Sequence, residues 1–455
     1  MFYRKILDLM KVWKDKKLRK PLILRGARQV GKTSAALLFG KENFKDAVYI
    51  NLDSTEHLRV FNREMSVEEF ITAVRLHLQK EIIPGETLLI IDEIQNSTLM
   101  IKLLRGLFDK LPKLHVIAAG SLLEAVIGSE GFSFPVGRVE FAYMYPLDYF
   151  EFLRAIGKNE LHSELSKCRL NAPVPQVIHE EALKYFYKYS IVGGMPEAAA
   201  YYAQKGETLG LKDIFSSLMT GYSEDTHKYA SVANSKYVSF IIDNAPLFAG
   251  TTVSYDKFAG SAYRSREIAQ GFSALEKAML LRQARATASV ELPLLEKEKR
   301  PKKIIFLDTG LVNYRMGVTG TYSEFEDLSD IYQGRIAEQI TGQSLLSLDD
   351  SVQGHLTYWA RDRKEGSAEV DFCFARENGI TGIEVKKSAA GSLRSLAVFA
   401  LNVKNPRLIR IYSGSLKTEK LMSKGKIFKL LSVPFYLLPR MNEIMALSEE
   451  RKYNR

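Results

Sequence analysis

Eight residues constrain this chain more than any other stretch: Gly26-Ala27-Arg28-Gln29-Val30-Gly31-Lys32-Thr33. A short apolar run, Pro21-Leu22-Ile23-Leu24, precedes them, and Ser34-Ala35-Ala36-Leu37-Leu38-Phe39 follows. The order is strand, glycine loop, helix, with the spacing of a phosphate-binding loop. The glycines let the backbone curl until successive N–H groups face inward, and the new helix adds the partial positive charge of its N-terminus. Lys32 can reach β- and γ-phosphates, and the Thr33 hydroxyl can ligate Mg²⁺. A chance glycine-rich turn would lack the flanking strand and helix.

The next constraint is Glu86-Thr87-Leu88-Leu89-Ile90-Ile91-Asp92-Glu93, an apolar strand closing on two acids. Unbroken apolar character implies burial on both faces, as in a parallel sheet covered by helices. Carboxylates at its C-terminal end sit where ligands bind in open α/β sheets. Asp92 is placed to hold the water shell of Mg²⁺, and Glu93 to orient or deprotonate the attacking water. Asp46 to Asp53 reads as another strand, and Phe70, Val74 and Leu78 mark a helix. A helix over Leu103 to Phe108 leads to a further buried strand, His115-Val116-Ile117-Ala118-Ala119-Gly120-Ser121. Ser121 has two readings that can hold together: a γ-phosphate sensor, and an N-cap for Leu122-Leu123-Glu124.

Composition narrows the setting. No apolar run approaches the ~20 residues that span a bilayer. The first twenty residues carry eight Lys/Arg against two Asp, with no apolar signal core. Ile6, Leu9, Met10 and Trp13 there share one helical face, which leaves the lysines solvated. Two cysteines, Cys168 and Cys373, exclude a disulfide framework and offer no metal spacing. A cytoplasmic protein with no membrane contact is expected. The net charge of +11 fits an acidic partner such as DNA, and fits solubility alone equally well.

Phe134-Pro135-Val136-Gly137-Arg138-Val139-Glu140-Phe141 and Met144 to Leu153 follow. With the loop Gly26 to Thr33 and the strand Leu88 to Glu93, these segments resemble bacterial and archaeal AAA-type ATPases whose C-terminal half is a domain of unknown function. The resemblance runs through the whole chain. It implies an additional-strand P-loop ATPase related to the AAA+ and STAND groups, with ATP and Mg²⁺ as ligands. Arg138 matches a recurrent Gly-Arg of that family. Its role is open between an arginine finger, in its own subunit or a neighbouring one, and a structural salt bridge. An oligomer is open for the same reason.

The middle of the chain reads as helical, broken at Gly193-Gly194-Met195-Pro196. In the resembling family such a Gly-Gly-x-Pro run follows the ATPase core. Tyr237 to Ala286 suggests a winged helix: helices over Tyr237–Phe248 and Tyr255–Ala259, then one starting at Ser265 and running to Leu281. Arg264 and Arg266 sit where a recognition helix meets a groove, although many ATPases use such a module only for packing. Glu296 to Lys303 reads as a solvated linker.

Beyond it, Lys303 to Leu311 is a strand turning into a helix and matches a recurrent stretch of the same family. Glu384 and Lys386 share one face of a strand, and Asp371 on an adjacent strand can meet Glu384. Two carboxylates could then hold a divalent metal with a lysine beside the activated water. Glu338, on a helix, could orient Lys386 or add a ligand. This set resembles the PD-(D/E)xK restriction-endonuclease-like core, although no proline precedes Asp371. That resemblance implies Mg²⁺-dependent cleavage by Asp371, Glu384 and Lys386, with Glu338, Asp371 and Glu384 as metal ligands. Such cores also persist as binding modules. The expected architecture is α/β: a P-loop NTPase parallel sheet over residues 1–165, a helical and winged-helix region over 166–300, and an α/β restriction-endonuclease-like domain over 301–455. The expected function is an ATP-binding, ATP-hydrolysing protein coupling nucleotide state to the nuclease-like domain. Its rivals are an ATP-gated DNA nuclease and a nucleotide-switched binding module.

Overall fold

Five short strands, β1 (Leu22–Arg25), β2 (Asp46–Asn51), β3 (Thr87–Asp92), β4 (His115–Gly120) and β5 (Glu140–Tyr143), pair in the order β2-β3-β4-β1-β5, every pair parallel. This computed structural model describes residues 2–121, 135, 137–170, 174–225, 234–319, 330–348, 356–362, 366–388 and 391–449. The sheet belongs to one compact unit, built on Met1–Tyr145 with two short later stretches. All six residues of β3 and of β4 are buried, as their unbroken apolar runs require. The helices Val67–Leu78 and Thr98–Lys110 cover one face, where Phe70, Val74, Ile101 and Leu104 meet Val48, Ile50, Leu89 and Ile91. β4 lies between β1 and β3, the additional-strand arrangement. The loop after β1 and the acids after β3 therefore open on the same C-terminal edge. The first helix, Ile6–Lys14, buries Ile6, Leu7, Met10 and Trp13, while Leu9 of the expected face turns outward.

The second unit comprises Pro146–Glu224, Ala233–Glu276 and Leu281–Arg455. Its sheet has nine strands: β6 (Thr252–Val253), β7 (Leu281–Thr287), β8 (Lys302–Phe306), β9 (Thr357–Ala360), β10 (Glu369–Arg376), β11 (Gly379–Val385), β12 (Pro406–Tyr412), β13 (Lys417–Ser423) and β14 (Lys426–Pro434). Their order is β13-β14-β12-β11-β10-β9-β7-β8-β6. β11, β12 and β14 run parallel, whereas β9, β10 and β11 pair antiparallel. The helix Arg394–Asn402 covers one face through Leu396, Phe399 and Ala400, against Trp359, Val370 and Cys373.

The boundary between the two units falls at Tyr145–Pro146. No break falls at 300, because β7 and β8 form an antiparallel pair across it and β7 also joins β9. The charged stretch Glu296 to Lys303 is thus not a solvated linker throughout: it ends inside β8, with Lys303 only 2% exposed. Of the winged-helix pieces, helices occupy Ser235–Asn244 and Ser265–Lys277, the middle piece is a single 3-10 turn at Phe258–Gly260, and Leu281 opens β7. Arg264 and Arg266 are exposed at the start of the second helix.

Two motifs that stand far apart in the sequence form one lock. The helix Gln176–Val192 stops at Gly193, whose φ is 77° and where a Cβ would fall 2.1 Å from Asp308 Oδ1. The Gly194 N–H donates to Asp308 Oδ2 at 2.6 Å, and the Gly310 N–H to Oδ1 at 2.9 Å. Burial pushes the Asp308 carboxyl up to about 6, against these hydrogen bonds.

Candidate functional site

The phosphate-binding loop is braced from below. Ala27 and Val30 are buried, and a Cβ at Gly26 would lie 2.3 Å from the Met144 carbonyl oxygen, so only glycine passes there. Gln29 and Gly31 take positive φ, 66° and 94°, before the helix begins at Lys32. Buried Arg4 donates to the Val30 carbonyl at 2.8 Å and to the Tyr145 carbonyl at 2.6 Å, fixing the loop from the first helix's N-terminal side. Arg28 forms an ion pair with Asp225.

Several polar side chains gather at the loop and at the end of β3. Lys32 Nζ donates to the carbonyls of Gly26 and Ala27 at 3.0 and 2.9 Å, resting on its own loop. Burial brings its pKa down to about 8, with Glu93 and Asp92 opposing and Arg28 adding to the fall. Thr33 Oγ1 donates to Asp92 Oδ2 at 2.7 Å, and the Tyr49 hydroxyl reaches the same oxygen at 3.0 Å. The Glu93 N–H donates to Asp92 Oδ1 at 3.1 Å. Glu93 itself is left-handed, φ 51° and ψ 44°, and its carboxylate accepts from Gln95 Nε2. Gln95 folds over the end of β4, where a Cβ on Gly120 would meet its Oε1 at 2.5 Å. Two hard oxygens, on Thr33 and Asp92, lie side by side, a donor set that fits Mg²⁺ with its retained waters.

Gly120 is in register with Arg25, so Ser121 stands level with Gly26 at the mouth of the loop. The segment Leu122-Leu123-Glu124 that it would cap lies outside the described residues, as do Phe134 and Val136. Arg138 is elsewhere. It precedes β5, whose Glu140 is level with Leu22, and therefore lies at the N-terminal edge of the sheet. That edge is about six residues, or about 20 Å, from the loop at the rise of a strand. There Arg138 pairs with Asp109 at 3.4 Å and lies over the Phe108 ring. An arginine finger acting within its own subunit does not fit this position; the salt-bridge reading does.

In the second unit, Asp371 on β10 stands opposite Glu384 on β11, by extension of the Phe372↔Ile383 pairing. Asp371 Oδ2 accepts from the Val385 N–H at 2.8 Å, and Lys386 Nζ donates to Glu384 Oε1 at 2.7 Å. Glu384 Oε2 is buried and has no hydrogen-bond partner among the described residues. Glu338 does not reach Lys386. Its Oε2 accepts from Lys303 Nζ at 2.7 Å, and the same ammonium lies 3.3 Å from Asp371 Oδ1 and 3.8 Å from Glu369. Burial, then Asp371, pushes the Glu338 and Glu384 carboxyls up to about 7. Burial works against the Lys303 charge, but Asp371 and Glu338 outweigh it and raise its pKa. Among the described residues no three carboxylate, His or Cys side chains form a metal-holding group. Lys303 thus engages Glu338, while Asp371 and Glu384 stand opposite each other on β10 and β11.

Residues missed from the sequence are Arg4, Tyr49, Gln95 and Lys303. Only Lys303 had a local signal, as a charge leading directly into the apolar run Ile304-Ile305-Phe306-Leu307.

Residues 18–153 match a family model described as AAA domain. Residues 183–322 and 333–436 match two further models, each described as a domain of unknown function (DUF8612 and DUF4143). No curated protein matches the chain. Similar solved structures include the Thermotoga maritima RuvB Holliday junction branch migration motor, 13% identical over 62% of this chain and 88% of that one, with a TM-score of 0.28. Drosophila ORC bound to DNA is 13% identical over 69% of this chain and 95% of that one, with a TM-score of 0.29. TM-scores this low carry no functional weight. Among the described residues no helix is long and apolar enough to cross a membrane. With its glycine loop, all-parallel five-stranded sheet and paired acids at one edge, the segment 18–153 has the make-up of a P-loop nucleotide-binding domain, and it is this segment that matches the AAA domain model.

Proposed function

We propose that the chain hydrolyses ATP and that nucleotide state governs the C-terminal nuclease-like domain. The observation that carries the first part is the 2.7 Å contact of Thr33 with Asp92, with Glu93 next in sequence at the loop's edge of the sheet. Loop amides from Gly26 to Thr33 cradle the phosphates, and Lys32 turns from its carbonyls to the β- and γ-oxygens. Thr33 and Asp92 hold Mg²⁺, which supplies charge neutralisation on the phosphate oxygens. Glu93 orients the attacking water and takes its proton, while Ser121 stands near the γ-phosphate. Arg138 could serve a nucleotide only in a neighbouring subunit. The test is Glu93→Gln: ATP binding should persist while Mg²⁺-dependent phosphate release falls at least 100-fold, on the scale of a general base. Full turnover in that variant would remove Glu93 from the mechanism.

A second reading is favoured by one observation, the unpartnered buried Glu384 Oε2 facing the Asp371 pair. It is a PD-(D/E)xK-like, metal-dependent DNA nuclease in which Asp371 and Glu384 hold the ion and Lys386 assists the nucleophile. The helices Ser235–Asn244 and Ser265–Lys277 with β7 and β8 would be its winged helix. Cutting of duplex, single-stranded or branched DNA with Mg²⁺ or Mn²⁺, abolished in Asp371→Ala and Lys386→Ala, is the expected result. No cleavage with either metal would leave a nucleotide-switched binding module.

A further inference from the structure

The edge hairpin of the nine-stranded sheet carries a surface that neither the ATP site nor the carboxylate cluster uses. β13 and β14 are joined at Lys424-Gly425, both with positive φ (46° and 74°), the two-residue turn that suits a twisted ribbon. One face of the ribbon is anchored: Leu421 and Phe428 pack on the core beneath the helix Arg394–Asn402. The other face is exposed and presents Lys420 opposite Lys429 and Met422 opposite Ile427. Met422 is 71% and Ile427 60% exposed. Lys424 at the turn, and Lys417 and Lys426 on the alternate positions of the ribbon, are also exposed. The ribbon's acid, Glu419, is engaged by Arg410, Lys417 and Ser432.

Apart from Lys429, which bonds the Ser448 carbonyl, folding gains little from this pattern. Like charges directly opposite on a ribbon destabilise it, and two large apolar side chains in water add no core. Lysines do protect an exposed sheet edge, which explains those on β13. It does not explain Lys426 and Lys429, which sit on β14, the inner strand, where Lys429 donates to the Ser448 carbonyl at 2.7 Å. Nor does it explain the apolar pair at the tip.

We propose that this hairpin is a contact surface for duplex DNA. A two-stranded ribbon fits the ≈ 12 Å major groove of B-form DNA, whereas the A-form RNA groove is too deep and narrow. The lysines meet phosphates along the groove walls, and Met422 and Ile427 face base edges at the tip. The proposal requires neither ATP turnover nor strand cleavage.

The test uses the full chain and a fluorescein-labelled duplex of about 20 base pairs, followed by anisotropy across a salt series. In the triple variant Lys420→Gln, Lys424→Gln, Lys426→Gln, affinity at low salt should fall at least tenfold. The slope of log K against log salt should flatten by about 2.7, that is about 0.9 for each phosphate no longer neutralised by a lysine. Met422→Ser with Ile427→Ser should weaken binding several-fold at unchanged slope. A charge-matched control away from the hairpin, Lys41→Gln, Lys45→Gln, Lys110→Gln, all exposed, should leave both quantities nearly as they are, which separates the hairpin from net charge alone. All substituted hairpin positions are solvent-exposed, so an unchanged thermal transition verifies folding. The proposal is overturned if the native chain binds no duplex, if the hairpin triple variant keeps affinity and slope, if the charge-matched control weakens binding as much as the hairpin variant does, or if phosphatidylserine vesicles bind more tightly than the duplex.

Discussion

Lys303→Met isolates the electrostatics of the carboxylate cluster, because methionine keeps most of the aliphatic stem and removes the ammonium. Lys303 is 2% exposed, and its Nζ lies 2.7 Å from Glu338, 3.3 Å from Asp371 and 5.2 Å from the centre of the Phe372 ring. Removing one member of a buried pair leaves uncompensated buried charge, at a cost of about 3–5 kcal/mol. The loss should depend on pH in a definite direction. Glu338 and Glu384 already sit near 7 in the folded protein, above their ordinary 4.5. A carboxyl raised on folding contributes stability below its unfolded pKa and loses it as pH rises through the folded value. Without the ammonium the raised values climb further, so the variant should be worst at pH 8 and recover much of its stability at pH 5. Urea unfolding in a Trp13→Phe background reports on the second unit through buried Trp359. Adding Glu338→Gln should restore part of the loss, since the two substitutions share one interaction. A deficit below about 1 kcal/mol at pH 8, the scale of a solvated surface pair, or one independent of pH, would refute the buried-pair account.

Three further outcomes follow from particular contacts. Arg138→Ala should cost no more than about 1 kcal/mol, since its pairing with Asp109 is solvated, and should leave ATP turnover of a dilute monomer unchanged; a large loss of turnover there would contradict its placement at the far edge. Gln95→Ala should change phosphate-release rate by about tenfold with little effect on ATP affinity, because Gln95 touches Glu93 and not the loop; equal effects on both would mean a structural role. Asp308, raised from 3.8 to about 6, contributes stability below pH 4 that is lost as pH rises to 6, so the unfolding free energy of Asp308→Asn should be lower overall yet flatter across that interval. An identical slope in both proteins would assign the pH dependence to other groups.

Much of this was legible because it is local. The loop Gly26 to Thr33 is a contiguous motif, and β3 and β4 are apolar runs that only a sheet covered on both faces accommodates. Asp371 opposite Glu384 follows from strand alternation once two neighbouring strands are recognised. What sequence could not supply were consequences of register and crossing. Arg138 is close to β5 in sequence, but only the parallel pairing of Leu22 with Glu140 shows which edge it occupies. Lys303 sits in a run of mixed charge that resembles a linker, and only the β7–β8 pairing carries it inward to β10. Arg4 reaches a loop more than twenty residues away, and no pattern of period 2 or 3.6 encodes such a reach.

The two lysine-centred sites differ in what a ligand must displace. The Lys32 ammonium donates to two neutral carbonyls, whereas a phosphate oxygen would meet it with a full opposite charge. Exchange is therefore favourable, and burial that lowers Lys32 towards 8 adds a further drive to meet an anion. Lys303 already has carboxylates as partners, so a phosphodiester would replace one charge-assisted bond with another and leave Glu338 and Asp371 unpaired. The loop lysine is thus poised to change partners with its ligand, whereas the Lys303 ammonium should stay in place. The proposed phosphate chemistry of the second unit therefore rests on Lys386 and on the Glu384 oxygen that has no partner among the described residues.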